Sequence, residues 1–212
     1  MTTEVKICGV TRPQDAELAA ELGAWAVGLI FHEASPRAVG IEPAESIGAM
    51  LERRTEVVGV FANQTLDRIA YLVDRCRLTV VQLHGSEGPA FCDEVARRTG
   101  TRVMKAARVK DAASVRELRA YRRVDFHMLD THSADKLGGT GTAFDWSLAA
   151  GHAGPPLVLS GGLTPENVEA GIRALHPFAV DTASGTDAEP GVKDPAKVRE
   201  FFEVVERVGA PA

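Results

Sequence analysis

Eight short runs rich in Val, Ile, Leu and Phe alternate with amphipathic stretches along 212 residues, and five prolines fall at or near the starts of those stretches. Glycines cluster late in the order. Together these observations predict an α/β chain closed into a single TIM (β/α)8 barrel, for which the length is typical. The runs are nearly continuous in apolar residues, which suits parallel strands covered on both faces. Proline at a helix start costs nothing, because the N–H it lacks has no partner there. The alternative is an open, doubly wound sheet, which usually carries G-x-G-x-x-G after its first strand. Here the first strand is followed by CGVTRP.

The first strand is expected over 5–8, VKIC, ending at a glycine, and Pro13 opens a helix over 13–22. AVGLIF over 26–31 is the second strand, followed by a helix over 43–53 from Pro43. VVGVF (57–61) precedes a helix over 66–75, and VVQL (80–83) precedes one over 89–98 from Pro89. RVMK (102–105) and FHML (126–129) are the fifth and sixth strands, followed by helices over 112–121 and 146–150. LVL (157–159) leads to a helix over 165–174 from Pro165, and FAV (178–180) to a last one over 195–207 from Pro195. Thr164 and Asp194 stand where an N-cap oxygen is useful.

Composition narrows the class further. With 45% hydrophobic and 25% charged residues, the chain suits one soluble globular domain with a large core, spanning 1–212. A net charge of −5 argues against a general nucleic-acid or membrane-surface role. The three cysteines, Cys8, Cys76 and Cys92, show no metal-ligand spacing and do not form a disulfide framework. The start, MTTEVK, has no apolar signal region. No apolar run approaches the roughly 20 residues of a membrane helix. A reduced, cytoplasmic protein is expected, as a monomer or homodimer.

In a barrel the chemistry sits on loops at the carboxyl ends of the strands. Standing there are Cys8, Arg37, Asn63, His84, Lys105, Asp130, Gly161–Gly162 and Ser184–Gly185. Two glycine-bearing loops follow the last two strands: LSGGLTPENV, with Gly161 and Gly162, and DTASGTD, with Ser184 and Gly185. Either alone reads as a tight turn. As a pair on adjacent late strands they point to a phosphate, held by backbone N–H groups and a helix N-terminus at Pro165.

By spacing alone Cys8 reads as a small core residue; its place at a strand end, on the same face as the phosphate loops, points instead to a base where its surroundings favour the thiolate. Asp130 reads as a turn cap, or as a general acid if burial raises its pKa. Arg37 suits a bidentate grip on a carboxylate. His84 is a pocket residue or a strand-end His bonded to backbone; Asn63 and Lys105 are weaker candidates. Cys76 and Cys92 fall inside predicted helices and read as packing residues. The stretch 131–142 is long for a barrel loop, and its glycines suit a closing lid.

These segments resemble a known family. KICGVT, SPR, VGVFANQ, VQLHG, GGTGTAFDW, SGGLTPENV and GVKDP, in this order over nearly the whole chain, are similar to phosphoribosylanthranilate isomerases. The resemblance implies a TIM barrel catalysing an Amadori rearrangement in tryptophan biosynthesis. N-(5-phosphoribosyl)anthranilate becomes 1-(2-carboxyphenylamino)-1-deoxyribulose 5-phosphate, with no metal or other cofactor. It implies Cys8 as general base, Asp130 as general acid and Arg37 on the anthranilate carboxylate. Gly161, Gly162, Ser184 and Gly185 would hold the phosphate, and His84 would line the pocket.

The chain departs from the family pattern in three places. DTASGTD stands for DVSSGVE, FHEASPR has His32 where an aromatic is common, and Thr142 replaces a lysine. Two other readings stay open: an isomerase of the related histidine-pathway aminoaldose, which ordinarily has aspartate in place of Cys8, and a non-catalytic phosphosugar-binding barrel. An indole-forming synthase needs a lysine–glutamate set that these strand ends lack.

Overall fold

The computed structural model describes residues 2–131, 145–149 and 151–209. Its strands are β1 (Glu4–Cys8), β2 (Ala26–Ile30), β3 (Glu56–Phe61), β4 (Val80–Leu83), β5 (Arg102–Val109), β6 (Phe126–Thr131), β7 (Leu157–Leu159) and β8 (Ala179–Thr182). They pair in parallel in chain order and close into a barrel, with Lys6 of β1 in register with Asp181 of β8. The helices are α1 (Pro13–Glu21), α2 (Ile41–Leu51), α3 (Leu66–Cys76), α4 (Pro89–Thr99), α5 (Ala112–Glu117), α6 (Val168–Leu175) and α7 (Pro195–Gly209).

Strand periodicity separates two cores. Outward residues such as Ile7, Leu29 and Phe61 pack with the helices in one cluster. Inward residues such as Cys8, Ala26, Val58, Met104 and Met128 fill the barrel. Trp25, Phe126 and Phe178 plug the end where the strands begin, with centroids 5.1–5.5 Å apart. Among the described residues, no helix is long and apolar enough to cross a membrane.

Several boundaries differ from those the sequence predicts. β5 runs on to Val109 because β6 extends to Thr131 beside it and supplies the partners. After β7, residues 165–167 form a turn and α6 begins only at Val168. Asn167 holds this turn by accepting from the Thr164 N–H (2.9 Å) and donating to the Gly162 carbonyl (2.9 Å). Trp146–Ala149 forms a short 3-10 turn instead of an α-helix. Pro43 is the third residue of α2, and 118–120 continue α5 as 3-10 helix. After β8 comes an unforeseen hairpin, β9 (Asp187–Glu189) with β10 (Val192–Lys193), turned at Gly191 with φ +85°. Helix α7 starts as expected at Pro195, with Asp194 Oδ1 accepting from the Ala196 N–H (2.9 Å).

Candidate active site

A cavity opens at the carboxyl ends of the strands, the face on which barrel enzymes carry their chemistry. Cys8, Arg37, His84, Asp130, Gly161, Gly162 and Ser184 all line it. Ile30, Val60, Phe61 and Leu163 supply an apolar wall. Seven of the eight residues that the family resemblance assigns to the site thus meet around one space. Gly185 is the exception.

Cys8 ends β1 with its side chain turned into the barrel, and it is buried. Burial pushes its thiol above the ordinary value, while Lys6 beside it pulls the other way and Asp181 adds to the rise. The two remaining cysteines behave as packing residues: both are buried, and burial pushes the Cys92 thiol to about 11.

Asp130 stands near the end of β6, buried, with both carboxylate oxygens engaged. Oδ1 accepts from the Thr131 N–H at 2.8 Å, and Oδ2 lies 3.0 Å from His84 Nε2. The other His84 nitrogen, Nδ1, is 3.1 Å from the Gln82 amide nitrogen. With that amide donating, Nδ1 accepts and Nε2–H donates to Asp130, so a neutral ring satisfies both contacts. Gly161 closes the other side of the carboxylate. Its φ is +92°, and a Cβ there would fall 2.8 Å from Asp130 Oδ1 and collide with the Thr131 backbone.

Arg37 reaches the cavity from the loop after β2, but it is already anchored within the fold. Its Nε donates to Asp187 Oδ2 at 2.7 Å. Asp187 Oδ1 accepts from Lys193 Nζ (2.7 Å), which also donates to the Ala183 carbonyl (2.8 Å). The hairpin β9–β10 thereby ties Arg37 to the loop after β8. An Nε bond leaves the guanidinium's terminal nitrogens as the edge for a ligand carboxylate.

The phosphate-loop candidates divide in two. Gly161 and Gly162, at φ +92° and +68°, and Ser184 at the start of a 3-10 turn, line the cavity. Gly185 instead lets two loops meet: a Cβ there would strike the Leu163 carbonyl, and Thr182 Oγ1 already donates to that oxygen at 2.8 Å. Since α6 begins at Val168, the helix start expected at Pro165 is absent and the cradle there is loop backbone.

Asn63 and Lys105 serve a different cluster. Glu87 accepts from the N–H groups of Asn63 (2.6 Å) and Gly85 (2.9 Å) and pairs with Lys105 at 2.8 Å. Three lining residues that sequence reasoning passed over are Gln82, Ser160 and Asp181. Period two from Asp130 or Cys8 points to inward positions such as Lys6 and Met128, yet nothing in the one-dimensional pattern says which polar groups meet across the barrel. The expected lid and Thr142 lie outside the described residues, which end at Thr131 and resume at Asp145.

Comparison with known proteins identifies the family and supports the barrel fold. A family model described as N-(5'-phosphoribosyl)anthranilate isomerase matches residues 5–204. A curated relative of that name from Geobacter sulfurreducens is 48% identical over 199 residues, covering 93% of this chain and 96% of the relative. The crystal structure of phosphoribosyl anthranilate isomerase from Thermotoga maritima superposes with TM-score 0.90 at 38% identity, covering 97% of this chain and 99% of its own. A further structure of such an isomerase, in complex with reduced 1-(o-carboxyphenylamino)-1-deoxyribulose 5-phosphate, has TM-score 0.86 at 36% identity, covering 97% and 99%. The chain belongs to the N-(5'-phosphoribosyl)anthranilate isomerase family, whose members are isomerases of tryptophan biosynthesis.

Proposed function

We propose that this chain converts N-(5-phosphoribosyl)anthranilate to 1-(2-carboxyphenylamino)-1-deoxyribulose 5-phosphate, with Asp130 as general acid and Cys8 as general base. One observation carries this reading. A thiol from β1 and a carboxyl group from β6, far apart in the chain, line one cavity together with Arg37 and the glycines after β7. The relative solved with a reduced form of that product supports the choice of ligand.

The chemistry suits those groups. Asp130 delivers a proton to the ring oxygen as the bond from C1 to that oxygen breaks, and the anthranilate nitrogen donates its pair to form a Schiff base. The iminium acidifies the proton on C2. Cys8 as thiolate removes it, and the released pair flows to nitrogen, giving an enolamine. Ketonisation takes up one proton at C1 and releases the C2 hydroxyl proton, so the whole conversion is neutral in protons and electrons. The substrate nitrogen is its own electron sink. Each acid or base step typically contributes ~10²–10⁴-fold.

Arg37 grips the anthranilate carboxylate through its terminal nitrogens, while Ile30, Val60 and Phe61 pack on the aromatic ring. Gly161, Gly162 and Ser184 hold the phosphate, with Gly185 permitting the loop approach that shapes this end. His84 orients the Asp130 carboxyl.

Turnover of phosphoribosylanthranilate, followed by loss of its anthranilate fluorescence, tests the reading directly. Steady turnover by the purified protein is expected. An inert protein with substrate that a known isomerase consumes overturns it. Turnover of the histidine-pathway aminoaldose alone would reassign the substrate.

A further inference from the structure

A buried ion pair lies beside the Cys8 sulfur, and the mechanism above does not use it. Lys6 precedes Cys8 by two residues on β1, so both side chains enter the barrel. The Lys6 side chain is fully buried, and its Nζ sits 2.6 Å from Asp181 Oδ1. The second Asp181 oxygen accepts from Ser160 Oγ at 2.8 Å. A Cβ built on Gly28 would lie 2.7 Å from Cys8 Sγ and 3.1 Å from Lys6 Nζ, so sulfur and ammonium crowd the same bare point of β2.

Such a pair is weak evidence of a stabilising role, because apolar residues fill a barrel interior without any cost of desolvating charge. Its placement suggests another use. Resting on the reading of Cys8 as the base, we infer that the Lys6–Asp181 pair sets the ionisation of Cys8. Lys6 is the positioning residue that stabilises the thiolate, and Asp181 holds back part of that charge.

The electrostatics around the sulfur agree in sign. Burial raises the thiol, Lys6 lowers it, Asp181 raises it, and Lys193 of β10 lowers it weakly. Lys193 is occupied with Asp187 and the Ala183 carbonyl, and β2 offers only Gly28. For Lys6, burial works against its charge, but Asp181 and then Cys8 outweigh it and hold the ammonium above its ordinary value. Lys6 therefore stays charged at neutral pH, and the two members of the pair act on the thiol in opposite directions.

The rate of Cys8 alkylation by iodoacetamide, read by peptide mass spectrometry between about pH 7 and pH 11, measures this without any substrate. Lys6→Met is expected to move the midpoint of the profile to higher pH, and Asp181→Asn to lower pH. At a fixed pH below the midpoint, tenfold less thiolate is partly offset by its greater nucleophilicity, so a midpoint one unit higher leaves alkylation about threefold slower. A merely loosened barrel would speed alkylation in both variants. Should Lys6→Met fail to fold, the Lys6→Met/Asp181→Asn double variant restores neutrality, and its midpoint is expected above that of Asp181→Asn alone. Midpoints that do not move, or that move together, overturn the inference. The base assignment fails separately, if Cys8→Ser keeps its kcat while the opposite shifts in alkylation remain.

Discussion

His84 Nε2 lies 3.0 Å from Asp130 Oδ2, the one imidazole contact to the proposed acid among the described residues. The ring is itself set by Gln82, 3.1 Å away on the same strand face. His84→Ala removes a donor to a buried carboxyl group, an interaction worth about 1.5–3 kcal/mol. A fall in kcat of roughly ten- to hundredfold with little change in KM is expected, since the loss falls on the acid and not on ligand grip. His84→Asn, which can still donate, is expected to recover part of it. Steady-state kinetics of the two variants decides; equal kcat in wild type and His84→Ala refutes the orienting role.

Cys8→Ser and Asp130→Asn keep size and shape while removing the base and the acid. Each is expected to lose ~10²–10⁴-fold in kcat with unchanged circular dichroism. A variant within a few-fold of wild type removes that residue from the mechanism.

Arg37 and Asp187 pair at 2.7 Å, and Lys193 binds the other oxygen of the same carboxylate. Asp187→Ala leaves the buried Lys193 and the partly buried Arg37 without their partner, and a destabilisation of about 3–5 kcal/mol is expected from denaturant unfolding. Arg37→Lys keeps the charge but loses the planar fork, so KM is expected to rise at least tenfold while kcat changes far less. A dominant effect on kcat would show that Arg37 acts in the chemistry and not in binding.

Gly161 is at φ +92°, with the Asp130 carboxylate and the Thr131 backbone against it. Gly161→Ala is strained in backbone conformation and displaces the acid at once. Loss of both thermal stability and kcat is expected. Gly100→Ala, with φ +69° but open space around it, is the control for backbone strain alone and is expected to keep kcat.

His127 and His152 contact each other at 3.0 Å, with His127 Nε2 on the Tyr121 carbonyl. Burial lowers both rings below the ordinary value of 6.5, and for His152 the neighbouring His127 adds to the effect. The unfolded chain therefore takes up protons near pH 6.5 that the folded chain still refuses. Stability from this pair is whole above that pH and falls as pH drops from it toward the lower folded-state values. Melting temperatures at about pH 7.5 and pH 5.5, for wild type and a His127→Asn/His152→Asn variant, test it. A smaller acid-induced drop is expected in the variant; an equal drop assigns the loss to other groups.

Much of the architecture was legible from residue order alone. Continuous apolar runs such as VVGVF and LVL, and prolines such as Pro13, Pro89 and Pro195, mark strands and helix starts through local preferences that any sequence displays. Their place at the carboxyl ends of the first and sixth predicted strands also put Cys8 and Asp130 among the site candidates. Other features depend on contacts between segments far apart in the chain. Pro165 fails to start a helix because Asn167 bonds back to Gly162 and Thr164 and keeps the turn.

The sequence by itself thus determined the eightfold alternation, the barrel and the polar or small residues at the strand ends, because each follows from neighbours within a few positions. Only the tertiary structure decided that Lys6 meets Asp181, that Asp187 rather than solvent holds Arg37, that His84 meets Asp130, and that Gly185 spaces two loops instead of lining the cavity. Barrel closure is the physical reason. It joins the first strand to the last, which brings Lys6 to Asp181, and sets the strand ends side by side, which brings the other pairs together; no local periodicity encodes that register.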